Sequence, residues 1–277
     1  MTVVLAGVAA DGINTDPIPE RQPDGRFEYV PIPEAVPATT ESLTYGTAPT
    51  RYTDRSMAEM LNWIRPVRAG ARISSLDDIA AYPLHHDPNF AALTYGESGS
   101  RPDYIAKLQL LEPGDVLGFY AGLHDGERVH RYLIGCFTVK DVVTVSPTMT
   151  EAEREAAFTA HPANAHAKRF FGAPRAVHDE VVLVDGQHPG GLFARTPLRL
   201  STYTAWRGNV RPTYYLSDDV ASRFPLDDPT FEHDVTTDQK DGKIYLGVKP
   251  ALVLDMTGSA FIDEIGGTSV FDSCESA

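Results

Sequence analysis

Apolar residues fall in short runs along the chain, and several of these runs predict strands of a sheet. Residues 2–8 form a β-rich opening, and residues 116–120 and 131–145 are two further apolar runs. The segment between these two runs is short and contains Asp125-Gly126, which predicts an antiparallel hairpin. We predict further strands over residues 27–31, 91–95, 180–184 and 192–200.

Other apolar residues recur every three or four positions, which predicts helices between the strands. The pattern is clearest over residues 57–64. Thr150 begins another helix, because Glu153 three positions later can complete a capping box. Pro162 separates that helix from a second one that runs to residue 171. Further helices are predicted over residues 75–82, 101–111 and 217–224.

This mixture predicts an α+β fold, with a mixed, mainly antiparallel coiled sheet or a β-barrel decorated with helices. No repeat and no sharp change in composition divides the chain. We therefore expect one domain over residues 1–277, with residues 225–277 as a less regular C-terminal extension. No apolar run approaches the roughly 20 residues that cross a bilayer, and the first residues lack the features of a signal peptide. A cytoplasmic protein without a membrane partner is expected.

The charge of the chain limits its partners. The formal net charge is -14, and the 24 basic residues include only six lysines against eighteen arginines. This balance fits either a halophile-like acidic surface or an ordinary acidic protein. In both cases the chain as a whole repels duplex phosphates, so a polynucleotide must meet a local basic groove or a partner protein. A free nucleotide or a single extruded base meets less repulsion.

The predicted hairpin resembles the core hairpin of PUA-like barrels of the EVE and ASCH type. The resemblance lies in Pro-Gly-Asp-Val-Leu-Gly-Phe-Tyr at 113–120 and Tyr-Leu-Ile-Gly-Cys-Phe-Thr-Val at 132–139. Gly114 and Asp115 are expected to make the tight turn into the first strand. Gly135 is expected where the sheet coils and where a side chain would clash.

The order of features along the chain resembles the nucleotide modification associated domain family, third type. The features are the opening strand, the polar loop of residues 11–17, Pro23–Glu34, His86–Pro88, Thr94–Glu97, the hairpin and Asn164–Arg169. The resemblance spans roughly residues 1–215 and implies an α+β protein of nucleic-acid modification systems. This chain has Tyr-Gly-Glu at 95–97 where the family often has Phe-Gly-Gln, so a role of that amide does not transfer to Glu97.

The polar stretch over residues 11–34 is a candidate functional surface because it directly follows a strand. Asp11 and Asp16 are candidate catalytic carboxylates. Asn14 is a candidate substrate-binding residue, and Arg26 is a candidate for binding phosphate. The alternative is turn chemistry, since Asp and Asn bend loops throughout proteins. The spacing of these residues fails the calcium-loop pattern.

A second candidate is the junction between the strand that ends near Tyr95 and the following helix. Glu97 could accept hydrogen bonds from the exocyclic amine of a flipped base or serve in catalysis, and Tyr95 could stack on the base. Arg101 is a candidate binding residue at the start of the helix. The alternative is that Tyr95 belongs to the wall of the sheet.

The third candidate is a basic patch on a predicted helix. Its members are Asn164, His166, Lys168 and Arg169. The functional interpretation is contact with phosphate, and the alternative is a solvated helix face. Lysine is scarce in this chain, which favours a specific role.

No cofactor or metal ion is expected from the sequence. Cys136 and Cys274 supply neither a disulfide framework nor a zinc quartet. His85-His86-Asp87 precedes Pro88 and lacks partner ligands at the usual spacing, so we interpret it as a polar turn, and His86 stays a candidate ligand. A Gly-x-Ser-x-Gly elbow, a phosphate-binding Gly-Lys-Ser/Thr loop and a Gly-x-Gly-x-x-Gly motif are all missing from the sequence.

These observations favour recognition, with or without modification, of a nucleobase or nucleotide in a modification system. The expected pocket is lined by Asp11, Asp16, Arg26 and Glu97, with Lys168 and Arg169 on phosphate. Two alternatives stay open: an enzyme that uses carboxylate acid–base catalysis on a base or sugar, and a non-catalytic assembly subunit. The hypothesis requires the acidic opening loop and the basic helix to line the same mouth of the sheet.

Overall fold

The computed structural model describes residues 2–9, 19–34, 39–62, 79–99, 101–172, 179–204, 213–227, 244–246 and 249–271. The strands are β1 (Val3–Gly7), β2 (Ile32–Pro33), β3 (Leu84–His85), β4 (Thr94–Ser98), β5 (Val116–His124), β6 (Val129–Val145), β7 (Val181–Leu192), β8 (Ser201–Thr204), β9 (Thr213–Leu216) and β10 (Leu252–Leu254). The helices are α1 (Met57–Asn62), α2 (Pro102–Leu108), α3 (Glu151–Ala160), α4 (Ala165–Gly172), α5 (Asp218–Arg223) and α6 (Gly258–Glu264), followed by a 3₁₀ turn at Gly267–Val270.

Six of these strands form one sheet in the order β10-β1-β5-β6-β7-β4. Only the β1–β5 pair is parallel, and the other neighbours in this sheet are antiparallel. Register shifts in the β5–β6 and β6–β7 ladders mark bulges, which bend strands and increase their twist. The sheet curls into a half-barrel, which confirms the predicted α+β fold with a coiled, mixed sheet.

The predicted hairpin is β5 and β6, and its entry turn has the expected chemistry. Gly114 adopts a φ of 96°, a backbone conformation that favours glycine. The Asp115 carboxylate is buried and accepts hydrogen bonds from the backbone N–H of Thr2 at 2.6 Å and of Glu112 at 2.8 Å. The turn therefore also fixes the start of β1 beside β5.

The helix starts follow local capping rules. Thr150 and Glu153 form the predicted capping box, α3 ends at Ala160 before Pro162, and α4 begins at Ala165. The predicted helix at 217–224 is α5, with Ser217 as its cap. The first half of the predicted helix over 75–82, residues 75–78, lies outside the described residues.

Several predicted strands are displaced. The strand expected over residues 91–95 begins at Thr94, because residues 90–93 form a turn closed by hydrogen bonds between Asn89 and Thr94. The strand expected over 27–31 is replaced by β2 at Ile32–Pro33, and the extended segment expected over 192–200 is the end of β7 and a loop. Phe27, Leu93 and Leu200 in these loops are buried as residues of strands are, so an apolar pattern alone does not distinguish the two.

The sheet buries apolar side chains on both faces. Along β1, Val4 belongs to one core cluster, whereas Val3 and Leu5 belong to the other. This alternation is the period of two that strand geometry imposes. Helix α2 contributes Ile105 to the first core, and α6 contributes Phe261 to the second. None of the described helices combines the length and the apolar character that a bilayer crossing requires.

Gly135 lies where the curled sheet leaves no room for a side chain, as its position in the sequence predicted. A methyl group there would collide with the ring of Phe90 and lie 2.8 Å from the carbonyl oxygen of Gly191. We expect Gly135→Ala to lower the free energy of unfolding by about 1–3 kcal/mol through overpacking, measured by urea denaturation. Lys140→Ala, at an exposed position of the same strand, should change it by less than about 0.5 kcal/mol. Equal stability of the two variants would contradict the close packing at Gly135.

Candidate functional site

Two places in the described part of the chain are candidate sites. The first, named the Asp87 cluster, consists of Glu34, His85, Asp87, His166 and Arg169. The second, named the Arg26 cleft, has a volume of about 660 Å³. The cleft is lined by Pro19, Glu20, Gln22, Arg26, Phe27, Glu28, Tyr52, Thr53, Arg55 and Met60.

Secondary structure brings the Asp87 cluster together from separate segments. Strand β2 pairs with β3 in a short antiparallel ladder, with Pro33 opposite Leu84. Glu34 therefore lies next to His85, at the end of β3. Helix α4, which begins at Ala165, three residues after Pro162, supplies His166 and Arg169.

The Glu34 carboxylate contacts two side chains, His85 and Arg169. One carboxylate oxygen, Oε2, lies 2.7 Å from His85 Nδ1. The other, Oε1, accepts hydrogen bonds from Arg169 Nε at 2.9 Å and from Arg169 Nη2 at 2.7 Å. Glu34 and His85 are 2% and 4% exposed, so solvent does little to screen this pair.

Asp87 lies between two imidazole rings. Its Oδ2 atom is 3.1 Å from His166 Nε2 and 3.5 Å from His85 Nε2, and the two rings meet edge to face at 5.1 Å. Its Oδ1 atom accepts a hydrogen bond from the backbone N–H of Gly96 at 2.8 Å. Both oxygens of this buried carboxylate therefore have protein partners.

The charges of the cluster stabilise each other. Burial disfavours the charged form of His85, but the hydrogen bonds and charges of Asp87 and Glu34 outweigh it and raise the pKa of His85 to about 9. Burial likewise disfavours the Glu34 carboxylate, yet His85 and Arg169 hold the pKa of Glu34 at about 2. The pKa of Asp87 is also lowered, against burial, by His166 and His85.

Asn164 and Gly96 set the position of His166. The Asn164 side-chain oxygen accepts a hydrogen bond from the His166 backbone N–H at 2.9 Å, and its amide donates to Thr94 Oγ1 at 2.9 Å. A Cβ atom on Gly96 would lie 2.5 Å from His166 Cδ2. The glycine of Tyr95-Gly96-Glu97 is therefore required for helix α4 to approach β4.

Glu97, Tyr95 and Arg101 form a smaller group beside the Asp87 cluster. Glu97 Oε2 accepts hydrogen bonds from the Tyr95 hydroxyl and from Arg101 Nη1, both at 3.2 Å. Burial raises the pKa of Glu97 and the Asp87 charge adds to this effect, while Arg101 opposes it. The ring of Tyr95 is 3% exposed and packs on Phe119, so its hydroxyl, and not its face, reaches this group.

Lys168 and His86 meet at a carboxylate of the opening half of the chain. Lys168 Nζ donates to Glu41 Oε2 at 2.6 Å, and His86 Nδ1 lies 3.7 Å from the same oxygen. Together with the Arg169–Glu34 pair, this contact shows that the predicted basic patch is held largely by acidic residues of the protein itself.

The Arg26 cleft presents an aromatic ring among arginines. The Tyr52 hydroxyl donates to the Ala194 carbonyl at 2.7 Å, which fixes the ring. The guanidinium groups of Arg26 and Arg51 lie 5.3 and 5.1 Å from the centre of that ring. Arg26 Nε also bonds Asp24 at 2.6 Å in an exposed pair.

Glu28 shapes the cleft from inside. Its two carboxylate oxygens accept the backbone N–H groups of Arg51 and Tyr52, both at 2.9 Å. Burial raises the pKa of Glu28 in spite of these hydrogen bonds. Glu28 thus holds the loop that carries Tyr52 against the segment of residues 27–31.

The structure places the predicted site residues in different locations. Glu97, Arg101, Asn164, His166 and Arg169 lie at or beside the Asp87 cluster. Arg26 lies in the cleft, and among the described residues none of its hydrogen bonds or ring contacts reaches helix α4. Asp11, Asn14 and Asp16 lie outside the described residues. The roles assigned to all of these residues stay predictions.

Sequence reasoning missed two features of these sites. The histidine that completes the His85–Asp87 group is His166, 79 residues beyond Asp87, so no local spacing could indicate it. Tyr52 was also missed, because nothing in its sequence neighbourhood predicts that Arg26 lies over its ring. The only available signal was the unusual density of His and Asp before Pro88.

One comparison with known proteins gives a match. A family model described as "Nucleotide modification associated domain 3" matches residues 2–236. The search of curated proteins and the search of solved structures give no significant match.

The Glu34 contacts lead to a stability prediction. Glu34→Ala leaves His85 and Arg169 without their shared buried carboxylate, and we expect the free energy of unfolding to fall by about 3 kcal/mol. Chemical denaturation of purified protein measures the change. Glu264→Ala is the control, because it removes the carboxylate of the exposed Arg223–Glu264 pair at 2.7 Å and should cost about 1 kcal/mol or less. Equal costs would show that burial adds nothing at Glu34.

Proposed function

Since the chain belongs to the nucleotide modification associated domain 3 family, we propose that it recognises a nucleotide or an extruded base in the Arg26 cleft. The family places the chain in the context of nucleotide modification, and the cleft offers the matching chemistry. The observation that carries the proposal is the fixed Tyr52 ring with guanidinium groups over it at the wall of an open cleft.

The size of the cleft supports this role. Its volume of about 660 Å³ falls within the range of roughly 300–1,000 Å³ that is typical of small-molecule sites. A second described cavity, beside helix α4, has about 150 Å³, which is too small for a nucleotide. A ligand of nucleotide size therefore fits the Arg26 cleft better.

The local charge of the cleft differs from that of the chain. Arg26 and Arg55 line it, and Arg51 lies against Tyr52. Arg21 and Arg195 border the turn at Gly25, within 3.4 Å of where a Cβ atom would lie. In a chain with a net charge of -14, such a concentration of arginines supplies the local basic surface that a phosphate requires.

The ring of Tyr52, named the Tyr52 platform, is proposed to bind the base of the nucleotide. Bases stack on aromatic rings and on arginine guanidinium planes, and such stacking contributes about 1–3 kcal/mol per base. Glu20 and Gln22 at the rim offer polar atoms to a base edge. In this proposal the phosphate binds to the arginines and the base stacks on Tyr52, which gives both kinds of residue in the cleft a role.

The alternative function is catalysis on the same ligand, with carboxylates as acid and base. The raised pKa of Glu97, caused first by burial, favours this alternative, because a carboxyl group with a raised pKa binds its proton more tightly and is better suited to exchange it with a substrate. Asp16→Asn and Asp11→Asn separate the two functions: a reader keeps its affinity for nucleotides, whereas an enzyme loses turnover. An assembly subunit binds no nucleotide. A PUA-like core, a cytoplasmic location and a partner protein from a modification system are further parts of the proposal.

The platform gives a graded prediction for binding. We expect Tyr52→Leu to weaken the binding of nucleoside monophosphates by about tenfold, because stacking is lost. Tyr52→Phe keeps the ring and should stay within about threefold of the wild type. Isothermal titration calorimetry with the four ribonucleoside and four deoxyribonucleoside monophosphates measures both.

The arginine contribution has a closely matched control. Arg26→Ala should weaken binding and reduce its dependence on salt, since a phosphate contact is lost. Arg223→Ala should leave binding unchanged, although Arg223 likewise pairs with an exposed carboxylate at 2.7 Å and lies over an aromatic ring, Phe224, at 5.4 Å. Equal effects of the two substitutions, or wild-type protein that binds none of the nucleotides, would overturn the proposed role of the cleft.

A further inference from the structure

We propose that His85, Asp87 and His166 form a binding site for one divalent transition-metal ion, zinc or iron(II). The three ligand atoms, two imidazole nitrogens and a carboxylate oxygen, lie within 4.8 Å of one another. Two histidines and one carboxylate are the ligand set of many zinc and non-haem iron(II) sites. This inference is independent of the nucleotide cleft.

The two distances from Asp87 to the histidines are close to those of tetrahedral coordination. Ligand bonds of about 2.0–2.2 Å place neighbouring ligand atoms of a tetrahedral site about 3.3–3.6 Å apart. Asp87 Oδ2 lies 3.1 Å from His166 Nε2 and 3.5 Å from His85 Nε2. The third separation, between the two imidazole nitrogens, is at most 4.8 Å, and an ion that binds all three atoms draws these nitrogens toward each other.

The outer contacts of the three residues are those expected around a metal. Metal-bound histidines usually donate their other ring N–H to a carboxylate or carbonyl oxygen, which fixes the tautomer. His85 Nδ1 lies 2.7 Å from Glu34, leaving Nε2 directed at Asp87. Glu34 is itself fixed by two hydrogen bonds from Arg169. The second oxygen of Asp87 is held by the Gly96 N–H at 2.8 Å.

Neighbouring residues also fix the position of His166, and a cavity lies beside it. Asn164 accepts a hydrogen bond from its backbone N–H, and Gly96 leaves room for its ring. A cavity of about 150 Å³ adjoins His166, with Ser98, Arg169 and Asp179 in its wall. A water molecule or a substrate atom in this cavity can complete the coordination, as in zinc sites with three protein ligands.

The competing explanation is a charge network that needs no metal, in which both imidazoles donate hydrogen bonds to Asp87. The two explanations differ in one geometric respect. A hydrogen bond fits the 3.1 Å separation to His166 better than the 3.5 Å separation to His85. A bound ion fits both separations, because it draws all three atoms toward one centre.

Metal titration of the full chain tests the site. Protein dialysed against a chelator and then against metal-free buffer is titrated with Zn²⁺ alone and, separately, with Co²⁺ alone under oxygen-free conditions. We expect one ion per chain by elemental analysis, d–d absorption bands of four- or five-coordinate Co²⁺, and a rise in melting temperature with Zn²⁺. Fe²⁺ is titrated under the same conditions to rank the two natural ions.

Two substitutions and one matched control locate the ion. Asp87→Asn keeps an oxygen for the Gly96 N–H but loses the charged ligand, and His166→Gln removes a nitrogen ligand. Both should weaken Zn²⁺ binding at least tenfold and abolish the rise in melting temperature. His161→Gln changes another buried histidine, which bonds Asp185 at 2.9 Å without a third ligand nearby in the described chain, and should bind Zn²⁺ like the wild type.

Several outcomes would overturn the inference. Wild-type protein that takes up no ion, or loses all three metals on one gel-filtration step, shows that the cluster is a charge network only. Equal Zn²⁺ affinity in Asp87→Asn, His166→Gln and His161→Gln shows that any bound ion lies elsewhere. Far-ultraviolet circular dichroism confirms that each variant is folded before titration, and the wild-type stoichiometry decides the question if a variant does not fold. Arg26→Ala should bind metal normally, which separates this site from the cleft.

Discussion

The buried carboxylate of Asp87 is the constraint on which the arrangement around β4 and α4 depends. A charged oxygen removed from water must be matched by hydrogen-bond donors or by opposite charge, or the fold loses several kcal/mol. Asp87 has two histidine rings and the Gly96 backbone N–H as its polar partners. These partners come from β3, from β4 and from a helix that starts some eighty residues later, so one side chain ties three parts of the fold together.

Glu34 extends the same constraint toward the N-terminal half of the chain. The Glu34 carboxylate contacts both His85 and Arg169, and the carboxylate of Glu41 accepts a hydrogen bond from Lys168. Lys168 and Arg169 of α4 thus each pair with an acidic side chain of the protein itself. Arginines that retain access to solvent are instead concentrated around Tyr52, on another part of the surface. The molecule therefore separates a rigid buried charge cluster from an open, arginine-lined cleft.

The fold class and the main hairpin could be predicted from the sequence because their determinants are local. Gly114-Asp115 sets the entry turn, Thr150 and Glu153 cap a helix, and two apolar runs around a short Asp-Gly loop define β5 and β6. Residues 90–93 misled the same reasoning, since an apolar turn with Phe90 and Leu93 buried resembles the start of a strand in sequence. For the candidate site, the sequence indicated Glu97, His166 and Arg169 as polar residues of interest but not their partners.

By itself, the sequence determined which residue types could carry chemistry, that the chain is acidic with few lysines, and that it resembles a nucleotide modification associated family. Only the tertiary structure decided that Lys168 and Arg169 face Glu41 and Glu34, that His166 meets Asp87, and that Arg26 lies over Tyr52. The physical reason is the separation along the chain over which each interaction acts. Capping, turns and strand periodicity act over a few residues, whereas the pairing of buried charges depends on how a curled sheet brings distant segments together.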